Sequence, residues 1–516
     1  MVGMDRRAFG KGMMGLGFGA LLAESATACT SVGPGTGTGG AGTAKTLTLA
    51  LDVAYGSFDP AQQVSGFSGV LPWQACFDTL LRYEADGSVS PNAAESYRFN
   101  DDKTRLTLTI RSGMKFTDGT PVDAAAVKAS LEHMKNGGGP DAGRLEDVTV
   151  TVKDASMVVL TTPKPKGLLP TFLCLAPGIL SSPASHKAKN RDTTPVGSGP
   201  YKLDTAATTM GSTYTFVRNE HYWNKAAYPY DKVVLREMPD ITARLNALKS
   251  GQINGAPLTS QTMAEAASAG LVLQKDQVNW AGLWLSDPHG KVIPALKHVE
   301  VRQAINMVFD REAILKAFFQ GQGKVTNQIF HEGSEAYLAD KLDYYAYDVA
   351  GAKKLMKKAG YADGFTFDFP VIPGFESFTP IIVQQLGLLG IKVKQIKIAA
   401  NQMFTELFSG KYPIFVMFIE SRTPLWDIDQ IVVPEAVWNV NHASDPELQP
   451  LLDKAQALDG AAAAENARAI NKFLIEQAWF CPWVLPTDFF GMDKRTSAQP
   501  YLGSVVPYLQ SFKPLS

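Results

Sequence analysis

Cysteine is scarce in this chain. Its 516 residues hold four, at positions 29, 76, 174 and 481, too few and too widely spaced for a disulfide framework. No C-x-x-C pair and no Cys/His cluster occurs, which excludes the usual structural zinc site. The default for Cys76, Cys174 and Cys481 is therefore burial as small hydrophobes. Histidine is sparse as well. The seven copies, at 133, 186, 221, 289, 298, 331 and 442, never take the H-E-x-x-H spacing. A G-x-S-x-G elbow, a P-loop lysine and a dinucleotide G-x-G-x-x-G are all missing. That pattern suits a binder better than an enzyme with a nucleophile, a carboxylate pair or a metal cluster. No excess of either charge exists: 49 Lys and Arg face 50 Asp and Glu. A general nucleic-acid binder needs a basic surface, so that class is excluded. Beyond residue 28 there is no run of about 18 apolar residues, hence no transmembrane helix.

What the chain does have is length and a 45% apolar content, enough for about three domains. At the start, Asp5-Arg6-Arg7-Ala8-Phe9-Gly10-Lys11 precedes the Gly-rich apolar stretch Met13–Ala23. Paired arginines, Phe and Lys in this order resemble a twin-arginine export signal over residues 1–28. Ala26-Thr27-Ala28-Cys29 resembles a bacterial lipoprotein cleavage site with Cys29 lipidated, although Ala26 stands where Leu is usual. A plain signal peptide cut near Ala28 is the other reading. Residues 29–45 are Gly, Thr, Ser and Pro with little apolar surface and read as a flexible tether.

The stretch Cys76–Met134 organises the rest. Leu106, Leu108 and Ile110 alternate with Thr107, Thr109 and Arg111, the period of a half-buried strand. Asp118-Gly119 marks a turn. Asp123 predicts the N-cap of a helix Ala124–Met134 with Val127, Leu131 and Met134 on one face. Its motifs are Phe77-Asp78-Thr79-Leu80, Pro91-Asn92-Ala93-Ala94-Glu95-Ser96, Ile110-Arg111-Ser112-Gly113 and Asp118-Gly119-Thr120-Pro121. Together they resemble the signature of the extracytoplasmic solute-binding proteins of the peptide/nickel class (family 5), which deliver ligands to ABC importers. Further similar motifs are Phe58-Asp59-Pro60, Pro195-Val196-Gly197-Ser198-Gly199-Pro200-Tyr201, Arg218-Asn219-Glu220-His221-Tyr222-Trp223 and the helix Val299–Phe309.

The resemblance implies an α/β, two-lobed periplasmic-binding-protein fold (class II, cluster C) with an inserted domain. Lobe I would comprise 46–75, 196–277 and 484–516; the inserted domain 76–195; lobe II 278–483. A ligand cleft would lie between the lobes. Tyr55 sits in the loop that flanks this cleft in the family, and Trp483 in its apolar return strand. In the peptide binders of the family, a Trp is followed by an acid that pairs with the ligand's N-terminal ammonium. Here Ile419 stands at that Trp and Arg422 at the acid, a reversal of charge. An Arg in a desolvated cleft favours carboxylate or phosphate through bidentate bonds. Pairing of Arg422 with Glu420 or Asp427 is the alternative.

Strand parity puts Val278, Trp280, Gly282, Trp284 and Ser286 on one face and Asn279, Ala281, Leu283 and Leu285 on the other. The Trp280/Trp284 face is either a flat platform for a ligand or packing beneath a loop. Trp426 follows Arg422 closely and would also suit sugar stacking. The expected ligand set is thus Tyr55, Trp280, Trp284, Arg422, Trp426 and Trp483, with no metal, cofactor or catalytic residue. The expected partners are a small peptide-like, opine-like or sugar-like ligand and the permease and ATPase subunits of an importer. The protein itself would be a monomer, anchored by lipid to the outer face of the bacterial cell membrane. An envelope hydrolase and a non-transporting sensor lipoprotein stay open as other readings.

Overall fold

The computed structural model describes residues 45–515 apart from 64, 67, 400 and 401. The expected export signal, Cys29 and the tether up to residue 44 lie outside the described residues. The first strand, Thr46–Leu51, buries Leu47, Leu49 and Leu51 as its alternation requires. It pairs in parallel with Lys232–Glu237. Together they centre a seven-stranded sheet ordered Val272–Asp276, Asp488–Met492, Gly255–Leu258, Thr46–Leu51, Lys232–Glu237, Thr213–Arg218, Tyr201–Leu203. This sheet is lobe I.

Inserted before its Tyr201–Leu203 strand is an antiparallel four-stranded sheet of Ala94–Phe99, Arg105–Ile110, Met157–Thr161 and Thr149–Val152. The helix Ala124–Asn136 covers it. Asp123 caps that helix, its carboxylate accepting from the Ala126 amide at 2.8 Å, and Val127, Leu131 and Met134 are buried. The core of lobe I runs continuously into this inserted sheet.

The other lobe is built on a four-stranded sheet in the order Gly323–Val325, Phe480–Pro486, Asn279–Leu285, Ile414–Glu420, with a parallel pair Thr366–Val371 and Lys392–Lys397 beside it. The main chain crosses between the lobe sheets twice, between Asp276 and Asn279 and at Thr487, where Phe480–Pro486 gives way to Asp488–Met492. No helix among the described residues is long and apolar enough to cross a membrane. Cys76, Cys174 and Cys481 are buried and unpaired; burial pushes all three thiols upward.

The glycines of the Pro195–Tyr201 motif act through close approach. A Cβ on Gly197 or Gly199 would collide with the backbone of Cys76 and with Phe77. The Gly199 amide donates to the Cys76 carbonyl at 2.9 Å, stitching the return of the inserted domain to its departure point.

Candidate functional site

Arg422 follows the end of strand Ile414–Glu420, just before helix Pro424–Ile431. That helix is capped by Thr423, whose hydroxyl accepts from the Trp426 amide at 3.3 Å. The cap turns Arg422 and Trp426 out of lobe II toward lobe I. Arg422 is 3% exposed. Its Nη2 donates to the Ser65 carbonyl at 3.0 Å, and its Nη1 reaches the Tyr508 hydroxyl at 3.4 Å; both partners belong to lobe I. The guanidinium carbon lies 5.4 Å from the Tyr83 ring and 5.1 Å from the Trp426 ring, within cation–π range. Gly503 of the C-terminal segment packs so closely on Arg422 that a Cβ there would strike the Arg422 side chain.

Of the expected alternatives for Arg422, Glu420 is an ion partner at a loose 3.7 Å. Asp427 accepts from the Arg422 amide at 3.1 Å and from Ser421 Oγ at 2.5 Å. Burial pushes the Asp427 carboxyl up to about 7, against those two hydrogen bonds and the Arg422 charge. For Arg422, burial opposes the charge, but Tyr508, Glu420 and Tyr83 outweigh it and raise its pKa. Arg422 Nε and Trp426 Nε1 are buried with no hydrogen-bond partner among the described residues.

Among the described residues, Trp426 is the one lobe II residue buried in the core of lobe I and the inserted domain. Its ring lies 5.9 Å from Phe172 and 4.3 Å from the Arg144 guanidinium. Arg144 in turn holds Asp141 at 2.7 Å, and Asp141 accepts from Ser65 Oγ at 2.6 Å. The junction thus combines two guanidinium groups, one indole and a tyrosine pair, which suits an anionic or π-bearing guest.

The other four expected residues are elsewhere. Trp280 and Trp284 are 1% and 0% exposed and stack on each other at 5.4 Å, with Phe480 and Phe415 against them. A second hydrophobic layer covers their face of the sheet, so the expected platform is core: Asn279–Leu285 is an inner strand buried along its whole length. Trp483 packs on Phe309 and Phe378 in the opposite layer. Tyr55 packs against Phe58 and Tyr214, and its hydroxyl donates to Gln63 at 2.6 Å.

Sequence reasoning missed Ser65, Tyr83, Gly503 and Tyr508. Ser65 lies 357 residues before Arg422 and Tyr508 lies 86 after it, and no local spacing marks any of the four. Tyr83 and Tyr508 also line a chamber of about 50 Å³ with Asp78, Arg82 and Gln74. A more open cavity of about 480 Å³ adjoins Arg82 and Gln510 on the surface of lobe I. Neither includes Arg422, and the polar junction is the stronger site because its buried donors lack acceptors.

Residues 88–427 match the family described as bacterial extracellular solute-binding proteins, family 5 Middle, well over half of the chain. The glutathione-binding protein GsiB of Salmonella paratyphi A is 27% identical over 355 residues, 64% of this chain and 65% of that protein. That alignment therefore spans a little under two thirds of the relative's length. Among solved structures, AgaA from A. tumefaciens R10, in complex with agropinic acid, is 27% identical with a TM-score of 0.80, covering 91% of this chain and 99% of that one. DppA from Helicobacter pylori, in complex with the peptide STSA, shares the fold at a TM-score of 0.78 and 20% identity, covering 91% of this chain and 98% of that one. The chain belongs to the bacterial extracellular solute-binding proteins of family 5.

Proposed function

We propose that this protein is the extracytoplasmic receptor of an ABC importer, and that Arg422 anchors an anionic group of its peptide-like or opine-like ligand. The observation that carries this is the buried Arg422 guanidinium at the lobe junction, its Nε lacking an acceptor. An incompletely paired buried charge is costly. A carboxylate placed beside it would satisfy Nε and a terminal nitrogen together. The charge reversal relative to the peptide binders supports the same choice. So do the relatives, one solved in complex with agropinic acid and one named for glutathione, both carboxylate-bearing molecules. Trp426 is the indole beside the anchor; Tyr55, Trp280, Trp284 and Trp483 act as packing residues.

Ligand contacts made by both lobes at once select the closed arrangement, which permease and ATPase subunits then read. The receptor acts as a monomer held at the outer face of the membrane through acylated Cys29. The mass of the N-terminal peptide from membrane-extracted protein tests that anchor. Isothermal titration against peptides, glutathione, agropinic acid and oligosaccharides tests the ligand class. Arg422→Ala is expected to weaken an anionic ligand by about 1.5–3 kcal/mol, the worth of a hydrogen bond to a charged group. Equal affinity for variant and parent, or preference for a neutral oligosaccharide, would refute the assignment.

A further inference from the structure

Next to Arg422 the charge changes sign. Glu420 ends its strand directly opposite Asn279. The Asn279 amide nitrogen donates to Asp488 at 2.6 Å. Asn279 begins the strand after the first lobe crossing, and Asp488 follows the second, so their bond ties the two hinge strands together. Glu420 lies against Gly66 of lobe I, where a Cβ would come within 2.9 Å of its carboxylate. Asp488, Asn279, Glu420 and Arg422 therefore form a continuous polar row across the junction, acidic at one end and basic at the other.

Asn279 is 9% exposed, and its side-chain oxygen is buried with no donor among the described residues. The charged groups acting on Asp488 are Glu420, Asp276 and Asp52, all acidic. Asp276 is its register partner on the neighbouring strand, and Asp52 directly follows the first strand of lobe I, held by Ser68 Oγ at 2.5 Å. An acceptor without a donor beside several carboxylates lacks one thing, a cation with N–H groups to give.

Resting on the reading that Arg422 holds the ligand's anionic group, we propose that Asn279, Asp488 and Glu420 form a second subsite for an ammonium of the same ligand. The substrate class is then an amino carboxylate, with a primary or secondary amine and an acid at opposite ends of the row. The amine anchor of the peptide binders is replaced by Arg422, and the acidic end of this row supplies another in a different place. Burial pushes the free Asp488 carboxyl up to about 7, the acidic neighbours adding to the rise and the Asn279 hydrogen bond opposing it. A bound ammonium favours the carboxylate, so Asp488 gives up its proton to solvent as the ligand enters.

Calorimetric titration of the full chain with glutathione, alanylglutamate and trialanine, each beside its N-acetyl form, tests this. Amine-free succinate and agropinic acid complete the set. The free-amine forms are expected to bind at least tenfold tighter than their N-acetyl forms. Asp488→Asn and Glu420→Gln should each narrow that preference to within threefold. At pH 6, titrations in two buffers of different ionisation heat should show close to one proton released per free-amine ligand, lost in Asp488→Asn. Equal or tighter binding of the N-acetyl forms would overturn the subsite and leave the Arg422 reading standing. Binding by the amine-free anions alone, lost in Arg422→Ala, would do the same. Heat from no compound in the set would overturn both.

Discussion

Single buried carboxyls set much of this protein's response to pH. Asp78 of the Phe77-Asp78-Thr79-Leu80 motif is enclosed, and burial pushes it up to about 7 although Tyr222, Trp223 and Asn92 donate to it. An acid whose folded pKa is raised keeps its proton in the native state while the unfolded chain has lost it. Between about pH 4 and 7 the native state thus binds the extra proton, and stability falls as pH rises. For one such group the slope is about 1.4 kcal/mol per pH unit. Asp427 and Asp488 move the same way. Asp59, held near 2 despite its burial by His133 and Arg191, acts oppositely and only in stronger acid. Asp78→Asn should therefore lose less stability than the parent between pH 4.5 and 6.5, read from urea midpoints at each pH; parallel losses would contradict the assignment. Motif matching marked Asp78 and Arg422 from the sequence because both stand at fixed offsets in short stretches. It could not reveal Tyr83, Tyr508 or Ser65, which meet Arg422 only through the fold.

At the level of strands and helices, local chemistry was readable because it is local. Asp123 caps its helix, and Leu106, Leu108 and Ile110 are buried while Thr107 and Thr109 are half-buried. Parity also separated Trp280 and Trp284 from Ala281, Leu283 and Leu285, and the two sets do enter different hydrophobic layers. What parity cannot supply is the number of covered faces. An inner strand between two packed layers is apolar on both, so an aromatic face that looks like a platform in sequence is buried in the structure. The Gly199 contact is of the same elemental kind. Its Cβ would meet backbone atoms of Cys76 and Phe77, which no rotamer can relieve, and its carbonyl accepts from Asn219 at 2.8 Å. Gly199→Ala should cost about 1–3 kcal/mol, the usual range for overpacking. Chemical denaturation measures it, and a change under 0.5 kcal/mol, roughly the scatter of surface substitutions, would show that the two segments part easily.

Across the whole molecule, the inserted domain reaches lobe II without a covalent link of its own to it. Lys103 Nζ pairs with Asp459 at 2.7 Å and donates to the Leu458 carbonyl at 2.9 Å. The Leu168 amide donates to Gln456 Oε1 at 3.1 Å, and the Gly167 amide to the Gln456 carbonyl at 3.1 Å. These pairs lie roughly 290 to 360 residues apart in sequence, beyond the reach of any periodicity argument. Together with Trp426 seated in the core of lobe I and the inserted domain, they are bonds that opening of the lobes must break. Gly167 offers a way to weigh them. A Cβ there would sit 2.5 Å from the Gln456 carbonyl oxygen and 3.6 Å from Leu425, both in lobe II, whereas its backbone has no left-handed torsion to strain. Gly167→Ala should therefore leave each lobe folded and act on closure alone. An overpacking cost of about 1–3 kcal/mol borne only by the closed state shifts the open–closed equilibrium by the same amount, since differential free energy moves populations. Small-angle scattering should then give a larger radius of gyration than for the parent, and the titrated ligand should bind roughly 5- to 150-fold more weakly, as 1.4 kcal/mol is a factor of ten. Unchanged dimensions and affinity would mean that the strand crossings at 277–278 and 487, rather than the inserted domain, set the closed geometry.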